Sequence, residues 1–437
     1  MNAANKFFTL GILMVLLVGM LTNSVLAVAY SWTTKGAAIT GTPDSTSCLS
    51  VSPLLGGAFG FVKNNQVIVQ PLVNNQQQNQ FVINPLNINW VIQNAVIQIV
   101  GIRLYVAWIE TNPSDSTDSK AYVEVYVQDN NNDWGSEVAP LDIDFSTAGL
   151  EIASGSDLTM EAELTDISTA AIKVALTTQN TGHTYSGATV ISIVYSISTP
   201  VLQQGTIVEV STNNADSTDY TLPLHLYTTA DGPQISFLQR SGNDHSLRTA
   251  ATDGSGSTAL ASTVDPNMPT DAGSYGSPYV LLYVTASGNI RLLVKNGDTD
   301  ATICHETVGT TTDYYTPHCG VAAFVNDGEN TAHALLFDKT GDDAGYLKDI
   351  KLDLDTCAVS AATTVSSAAL SSPRLVDAIT PSSGSNVNKV VYSTASVEEA
   401  DYGPAGGGAV PEFSAGALLI TILLSSMFGL ALLRKKK

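Results

Sequence analysis

Short runs of alternating apolar and polar residues make up most of the chain between residues 30 and 396. Successive side chains of an extended strand point to opposite sides, so alternation with a period of two is typical of β-strands. In the run Ile102–Ile109, one side of the strand would carry Ile102, Leu104, Val106 and Trp108. Helical periodicity is nearly absent here, and Asn74–Gln80, which contains only Asn and Gln, is predicted to be a polar loop. The pattern therefore predicts an all-β fold.

A repeat of about 55 residues appears in the second half of the chain. The pattern aliphatic-Tyr-x-Thr-Ala-Ser/Asp occurs at Leu226–Asp231, Leu282–Ser287 and Val391–Ser396, and Leu335–Asp338 fills the remaining slot with Phe in place of Tyr. The aromatic residues of the four copies are Tyr227, Tyr283, Phe337 and Tyr392. A regular period of this order is typical of propellers and solenoids.

Four short strands fit into each repeat, which is the content of one propeller blade. Residues 30–396 have room for six or seven such units, and the last unit, ending at Ser396, lacks two strands. Tyr30–Ser52 could supply them and close the ring, since an open ring would leave bare strand edges. The alternative is a β-sandwich at about residues 30–200 followed by a smaller β-repeat domain, with a boundary near residue 200.

The pattern of the last segment of the chain predicts a membrane anchor. Ser414–Leu433 is 20 residues long without a charge, which is enough for a helix to cross a bilayer. Arg434–Lys437 follows directly and favours a cytoplasmic C-terminus. The sequence therefore predicts that residues 30–396 form an ectodomain outside the cell, joined to the anchor by a Gly/Pro-rich linker at 397–410.

The tripeptide Pro411, Glu412, Phe413 stands immediately before this span. Tripeptide, apolar span and basic end together resemble the PEF-CTERM sorting tail of archaeal surface proteins, over residues 411–437. The resemblance implies that a membrane enzyme of the archaeosortase type cuts near the tripeptide and transfers the protein to a lipid. The alternative is an ordinary C-terminal anchor, and both place the folded part on the cell surface.

The first 29 residues have the layout of a secretory signal peptide. Lys6 precedes the apolar run Phe7–Leu21, and Ala27-Val28-Ala29 offers a cleavage site of small residues. The apolar run is short for a membrane span, so cleavage is favoured over a retained N-terminal anchor. The mature protein would then begin near Tyr30.

Charge limits the classes of partner. The whole chain has a formal net charge of -21, and residues 30–410 hold 14 basic and 39 acidic side chains, a net charge of −25. Nucleic-acid binding depends on clusters of Lys and Arg, so such a surface argues against nucleic acid as a partner.

Four cysteines lie in the exported part: Cys48, Cys304, Cys319 and Cys357. Spacing favours a disulfide between Cys304 and Cys319. The same strand register would place His305 opposite His318 on the other face of the sheet as surface histidines. A single metal site built from all four side chains is therefore not expected.

An acidic loop at 129–137 is the best candidate for a metal site. Oxygen donors recur there at the spacing that a calcium loop needs, at Asp129, Asn131, Asp133 and Glu137. The loop resembles the calcium loops between propeller strands in integrin-type repeats, although Trp134 stands where those repeats have glycine. The alternative is a hairpin turn rich in Asn and Asp that holds no ion.

No catalytic motif is found: the chain lacks a Gly-x-Ser-x-Gly elbow, a His-Glu-x-x-His pair and a Walker loop. We therefore expect a cell-surface protein that serves binding, adhesion or envelope structure rather than an enzyme. The alternative is an anchored extracellular hydrolase acting on carbohydrate, because acidic pairs for glycoside hydrolysis are common on such a scaffold. The ligand and the oligomeric state do not follow from the sequence.

Overall fold

The computed structural model is almost entirely β-structure and describes most residues from 29 to 404. Outside the description lie 1–28 and 405–437, and within it 41–49, 53–57, 74–75, 78, 101, 130–132, 181–185, 212–220, 230–231, 242–243, 263, 266–270, 274–277, 298, 300, 316–322, 327, 343, 367–368, 370–375, 380–387 and 394–395. One compact unit spans Trp32–Tyr402, without a division near residue 200.

The first three sheets of the compact unit follow one another along the chain. Sheet 1 contains β2 (Ser50–Ser52), β3 (Ala58–Lys63), β4 (Gln66–Val73), β5 (Gln76–Gln77) and β6 (Phe81–Ile83). Sheet 2 contains β7 (Val91–Val100), β8 (Arg103–Asn112), β9 (Asp115–Gln128) and β10 (Trp134–Asp142). Sheet 3, reached through a short 3-10 turn at Ser146–Ala148, contains β11 (Leu150–Ile152), β12 (Leu158–Asp166), β13 (Thr169–Asn180), β14 (Ser186–Ser196) and β15 (Val201–Glu209).

Four more sheets complete the described structure. Sheet 4 contains β16 (Thr221–Thr229), β17 (Gly232–Ser241), β18 (Asp244–Ala251) and β19 (Thr258–Ser262). Sheet 5 contains β20 (Asp271–Gly273), β21 (Tyr279–Val284), β22 (Asn289–Lys295) and β23 (Thr302–Thr310). Sheet 6 contains β24 (Tyr314–Tyr315), β25 (Ala323–Asn326), β26 (Thr331–Asp338), β27 (Leu347–Asp353) and β28 (Thr363–Thr364), and sheet 7 contains β29 (Val376–Ile379), β30 (Asn388–Ser393), β31 (Ser396–Pro404) and β1 (Tyr30–Thr40).

The seven sheets form a closed ring. One edge strand of each sheet contacts the corresponding strand of the next sheet, in the order β2, β7, β12, β16, β20, β25, β29 and back to β2. In each sheet the strands follow one another along the chain outward from that edge, except for β1 and for the short strands β11 and β24, which precede the inner strands β12 and β25 and pair on the same side of β13 and β26. Radial repetition of small antiparallel sheets around a common centre is the architecture of a β-propeller. The region predicted as a sandwich in the alternative interpretation supplies consecutive sheets of this ring.

The ring is closed by the first strand of the chain, as the sequence predicts, but with a different division of strands. Sheet 7 has the order β1-β31-β30-β29, so the N-terminal segment contributes one strand instead of two, and β2 belongs to sheet 1. The missing strand is β31, which takes in the first eight residues of the predicted linker. Acidic residues within this strand hide its pattern in the sequence, although Glu398, Glu399 and Asp401 are buried.

Sheet 2 is buried on both faces because it packs between sheets 1 and 3. In β8 the side chains of Leu104, Val106 and Trp108 join the core shared with sheet 1. The alternate residues Tyr105, Ala107 and Ile109 join the core shared with sheet 3. The predicted alternation is thus confirmed for these residues, whereas Ile102 precedes the strand and is 59% exposed.

The aromatic repeat marks the second strand in three of its four copies. Tyr283, Phe337 and Tyr392 lie in β21, β26 and β30, each of which pairs with the innermost strand of its sheet. Tyr227 lies in β16, the innermost strand of sheet 4, so this copy does not match the other three in position. The repeat is therefore regular in the last three sheets and shifted in the sheet before them.

Both predicted membrane-related segments, the signal peptide at 1–29 and the sorting tail at 411–437, fall essentially outside the described residues. Within the part that the structure describes, no helix has the length and apolar character needed to cross a bilayer.

Candidate functional site

A span without any charged side chain runs from Asn64 to Gly101 in an otherwise acidic protein. Of its 38 residues, 9 are Asn and 8 are Gln, and none is Asp, Glu, Lys, Arg or His. The span provides the outer half of sheet 1 and the first strand of sheet 2. The connection between these sheets is exposed, and we call the exposed surface of residues 82–91 the amide face.

Four aliphatic side chains and two amides form the surface of this segment. Ile88 is 88% exposed, and Val82, Leu86 and Val91 are between 41% and 49% exposed. Asn84 and Asn89 are exposed beside them. Asn89 has a φ of 66°, a left-handed conformation that asparagine adopts more readily than most residues. Exposed aliphatic groups this close together in sequence are typical of a contact surface.

The buried carboxylate of Glu110 anchors the loop of the amide face through hydrogen bonds. Glu110 ends the apolar part of β8 and is fully buried. Its Oε1 accepts hydrogen bonds from the backbone N–H of Leu86 at 2.7 Å and from Nε1 of Trp108 at 3.0 Å. Its Oε2 accepts two from Asn87, from the backbone N–H at 3.0 Å and from Nδ2 at 2.8 Å. Four donors satisfy this buried charge, which fixes the centre of the loop to sheet 2.

The far end of the loop is held by a hairpin of sheet 1. Asn64 and Asn65 connect β3 to β4 with φ values of 52° and 62°, as a two-residue hairpin turn requires. Oδ1 of Asn65 accepts the backbone N–H of Ile92 at 2.6 Å, and its Nδ2 donates to the carbonyl of Trp90 at 2.9 Å. The loop is therefore fixed at its centre and at its end before any partner binds.

Sequence reasoning misses Glu110, Asn65 and Asn87. A single Glu after an apolar strand has no recognisable motif, because three of its four donors come from a loop more than twenty residues earlier. The signal in the sequence is the absence of charge over the whole of 64–101, of which the polar loop predicted at 74–80 is only a short part.

The predicted calcium ligands are only partly brought together. The backbone N–H of Asp133 donates to Oδ1 of Asp129 at 3.0 Å, which closes the loop. Glu137 instead accepts two hydrogen bonds from Arg103, at 2.6 and 2.8 Å. Burial acts to raise the pKa of Glu137, but hydrogen bonds from Arg103 and Tyr195 together with the positive charge of Arg103 outweigh it, and the pKa is lowered. Asn131 lies outside the described residues, and calcium binding stays a prediction that a melting curve with and without chelator tests.

The predicted disulfide partner is wrong. Cys304 in β23 is bonded to Cys357, in the turn after β27, with a Cα–Cα distance of 5.5 Å. The predicted pairing treats Cys304 and Cys319 as opposite positions of one hairpin. In the structure β23 is the last strand of sheet 5 and the chain then passes to sheet 6, so the bond joins neighbouring sheets. Cys319 and His318 lie outside the described residues.

His305 is not the simple surface histidine that the sequence predicts. Its Nε2 lies 2.7 Å from the hydroxyl of Tyr283, and the side chain is partly buried. Burial and, to a lesser degree, the nearby Arg291 lower the pKa of His305. Groups of three or more metal-ligating side chains do not occur in the described ranges of the chain.

A second polar cluster lies between sheets 6 and 7 and is closed to solvent. Nδ1 of His333 lies 2.9 Å from Oδ1 of Asp349, and Oδ2 of the same carboxylate accepts from Nε1 of Trp32 at 2.9 Å. Thr331 lies 2.9 Å from Nε2 of His333, and the ring of Phe324 stacks on the imidazole at 4.4 Å. His333 and Asp349 are fully buried, so a ligand has no access to them and the cluster stabilises the fold.

Comparison with known proteins gives weak similarities only. No family model and no curated protein sequence matches the chain. Among solved structures, the fucose-specific lectin of Aleuria aurantia, a six-bladed β-propeller, is 12% identical with a TM-score of 0.41 and covers 75% of this chain and 99% of the lectin. Virginiamycin B lyase from Staphylococcus aureus (6% identical, TM-score 0.43) and an α-L-arabinanase from Penicillium chrysogenum (12% identical, TM-score 0.42) each cover 86% of this chain and 99% of their own. No functional conclusion follows from similarities of this strength, and the propeller is assigned from the order of the sheets.

Proposed function

We propose that this chain is an exported, membrane-anchored cell-surface protein that acts by binding and not by catalysis, with the amide face as its contact surface. The observation that carries the proposal is a rigid, charge-free, partly apolar surface on a strongly acidic propeller. Export and anchoring are supported by the leader at 1–29 and by the tail at 411–437.

The chemistry of the amide face favours binding over turnover. General acid–base catalysis needs a side chain whose pKa lies near the working pH, and an amide side chain has no such group. The nearest carboxylate described above, Glu110, is buried and occupied by four N–H donors. Amide and aliphatic groups can still donate, accept and exclude water, which is what a contact surface needs.

The proposal is tested on the purified full-length protein with a glycan array, a panel of hydrolase substrates and a self-binding assay. Binding of a glycan or of the protein itself, lost in Ile88→Asp and without turnover, supports it. Hydrolysis of a carbohydrate would instead support the hydrolase alternative. Binding that Ile88→Asp leaves intact would move the contact surface elsewhere on the propeller.

Localisation is tested separately in producing cells. We expect protease added to intact cells to digest the ectodomain, and mass spectrometry to show a new N-terminus near Tyr30. A C-terminal peptide ending near Pro411–Phe413 would indicate the sorting reaction, and an intact Lys437 a plain anchor. Full-length protein in the cytosol with residues 1–29 uncut would overturn the proposed location.

A further inference from the structure

We infer that the partner of the amide face is the amide face of a second copy of this chain. This inference rests on the proposed function, because it names the occupant of the same contact surface. The argument comes from charge, from the chemistry of amides and from the rigidity of the loop.

The absence of charged side chains in the amide face favours this surface for contact between two copies of an acidic protein. Residues 30–410 have a net charge of −25, so two ectodomains repel each other over most orientations. At physiological salt this repulsion extends about 8 Å, which includes the distances within an interface. The span 64–101 contributes no charge, so copies that meet through it bring no like charges from this span into the contact.

The side chains of the amide face can pair with copies of themselves. A contact between identical copies around a two-fold axis uses the same patch on both sides, so the patch must be self-complementary. A carboxylate cannot satisfy a second carboxylate, whereas an amide both donates and accepts. Asn89 is exposed here, and Asn84, whose Oδ1 accepts a hydrogen bond from Nε2 of Gln66 at 2.7 Å, exposes its amide beside it. Val82, Leu86, Ile88 and Val91 supply an apolar centre, and interface centres are depleted of charged residues.

The loop has little freedom left to lose when it associates. Glu110 fixes the backbone at Leu86 and Asn87, and Asn65 fixes it at Trp90 and Ile92. Ordering a mobile loop at an interface costs binding free energy, so a loop that is already held associates more tightly than a free one.

The inference is tested by measuring the mass of the purified full-length protein in detergent over a range of concentrations, by light scattering and sedimentation velocity. The central variant is Asn89→Asp, which changes one amide to a carboxylate of the same shape. Asn330→Asp is the matched control, because Asn330 is also exposed and has a φ of 53°, but lies in sheet 6. We expect a wild-type dimer, a dissociation constant at least about tenfold weaker in Asn89→Asp, and no change in the control.

Salt provides a second readout. Raising NaCl to about 1 M shortens the screening length to about 3 Å, so the wild-type dimer should tighten and Asn89→Asp should recover part of its loss. Circular dichroism and thermal melting establish that each variant is folded. A wild-type protein that stays monomeric, or a dimer that Asn89→Asp and Ile88→Asp leave unchanged, would overturn the inference. A monomer that binds a glycan through the amide face would overturn the inference alone and leave the proposed function standing.

Discussion

Nδ1 of His333 lies 2.9 Å from Oδ1 of Asp349 at a point where neither side chain is exposed. The other oxygen of Asp349 accepts a hydrogen bond from Trp32 of β1, the strand that closes the ring. Trp32 and Tyr402 lie 5.0 Å apart between ring centroids, on the first and the last strand of the propeller. One buried carboxylate in sheet 6 therefore connects the imidazole of its own sheet to the closing strand of sheet 7.

Replacing Asp349 should weaken the closure of the ring. Asp349→Ala leaves His333 and the indole N–H of Trp32 without their acceptor in a buried place, which typically costs about 3 kcal/mol in the free energy of unfolding. Urea unfolding measures this loss. Asp355→Ala in the exposed turn of the same sheet is the control, and an equal effect of both changes would show that the buried cluster has no special role.

Glu110→Gln should loosen the amide face without breaking the propeller. The new NH2 group would face N–H donors where Glu110 now accepts four hydrogen bonds. We expect the free energy of unfolding to fall by about 2 kcal/mol and exchange of the amide protons of Leu86 and Asn87 to accelerate. Hydrogen exchange followed by mass spectrometry checks the second point. Glu163→Gln, on an exposed position of β12, should change neither.

The bond between Cys304 and Cys357 should stabilise the junction of sheets 5 and 6. It closes a loop with a sequence separation of 53 residues, for which the chain-entropy estimate is about 4 kcal/mol. We expect the double variant Cys304→Ala/Cys357→Ala to unfold at lower urea concentration by a corresponding amount. Non-reducing peptide mapping should recover Cys304 joined to Cys357, and a peptide joining Cys304 to Cys319 would contradict the structure.

Glu209 at the end of β15 should make stability depend on pH. Burial raises the pKa of Glu209 above its usual 4.5, and its Oε1 is buried without a hydrogen-bond partner. The fold thus disfavours the ionised form, and this group lowers stability as pH rises from below 4.5 through the raised pKa. We expect Glu209→Gln to raise the Tm at pH 7 and to leave it nearly unchanged at pH 4. Melting curves of this variant and of Glu163→Gln at both pH values test the sign.

Local patterns in the sequence predict the strands well and their partners poorly. The two faces of β8 follow from alternation alone, since Leu104 and Tyr105 need only opposite environments. The spacing of Tyr283, Phe337 and Tyr392 likewise predicts the regular sheets 5 to 7. Tyr227 shows the limit, because the same short motif fits the first or the second strand of a sheet.

Contacts between sheets do not follow from the sequence, because they join positions that no local pattern relates. Cys304 is 53 residues from Cys357 and 15 from Cys319, and the shorter separation misleads when the chain turns into the next sheet. Glu110 depends on donors from Leu86 and Asn87 in a loop that has no regular structure. The candidate site is therefore visible in the sequence only as an absence of charge.

The pairing of β1 with β31 sets an order of events during synthesis. Ribosomes add about 5 to 20 residues per second, so Thr40 is made about 20 to 70 s before Pro404. During that time the first strand lacks the neighbour that completes sheet 7, and its backbone N–H and C=O groups on that side can bond only to water or to another strand edge. A chain that stops before Ser396 never gains that neighbour and keeps a strand edge that other chains can pair with.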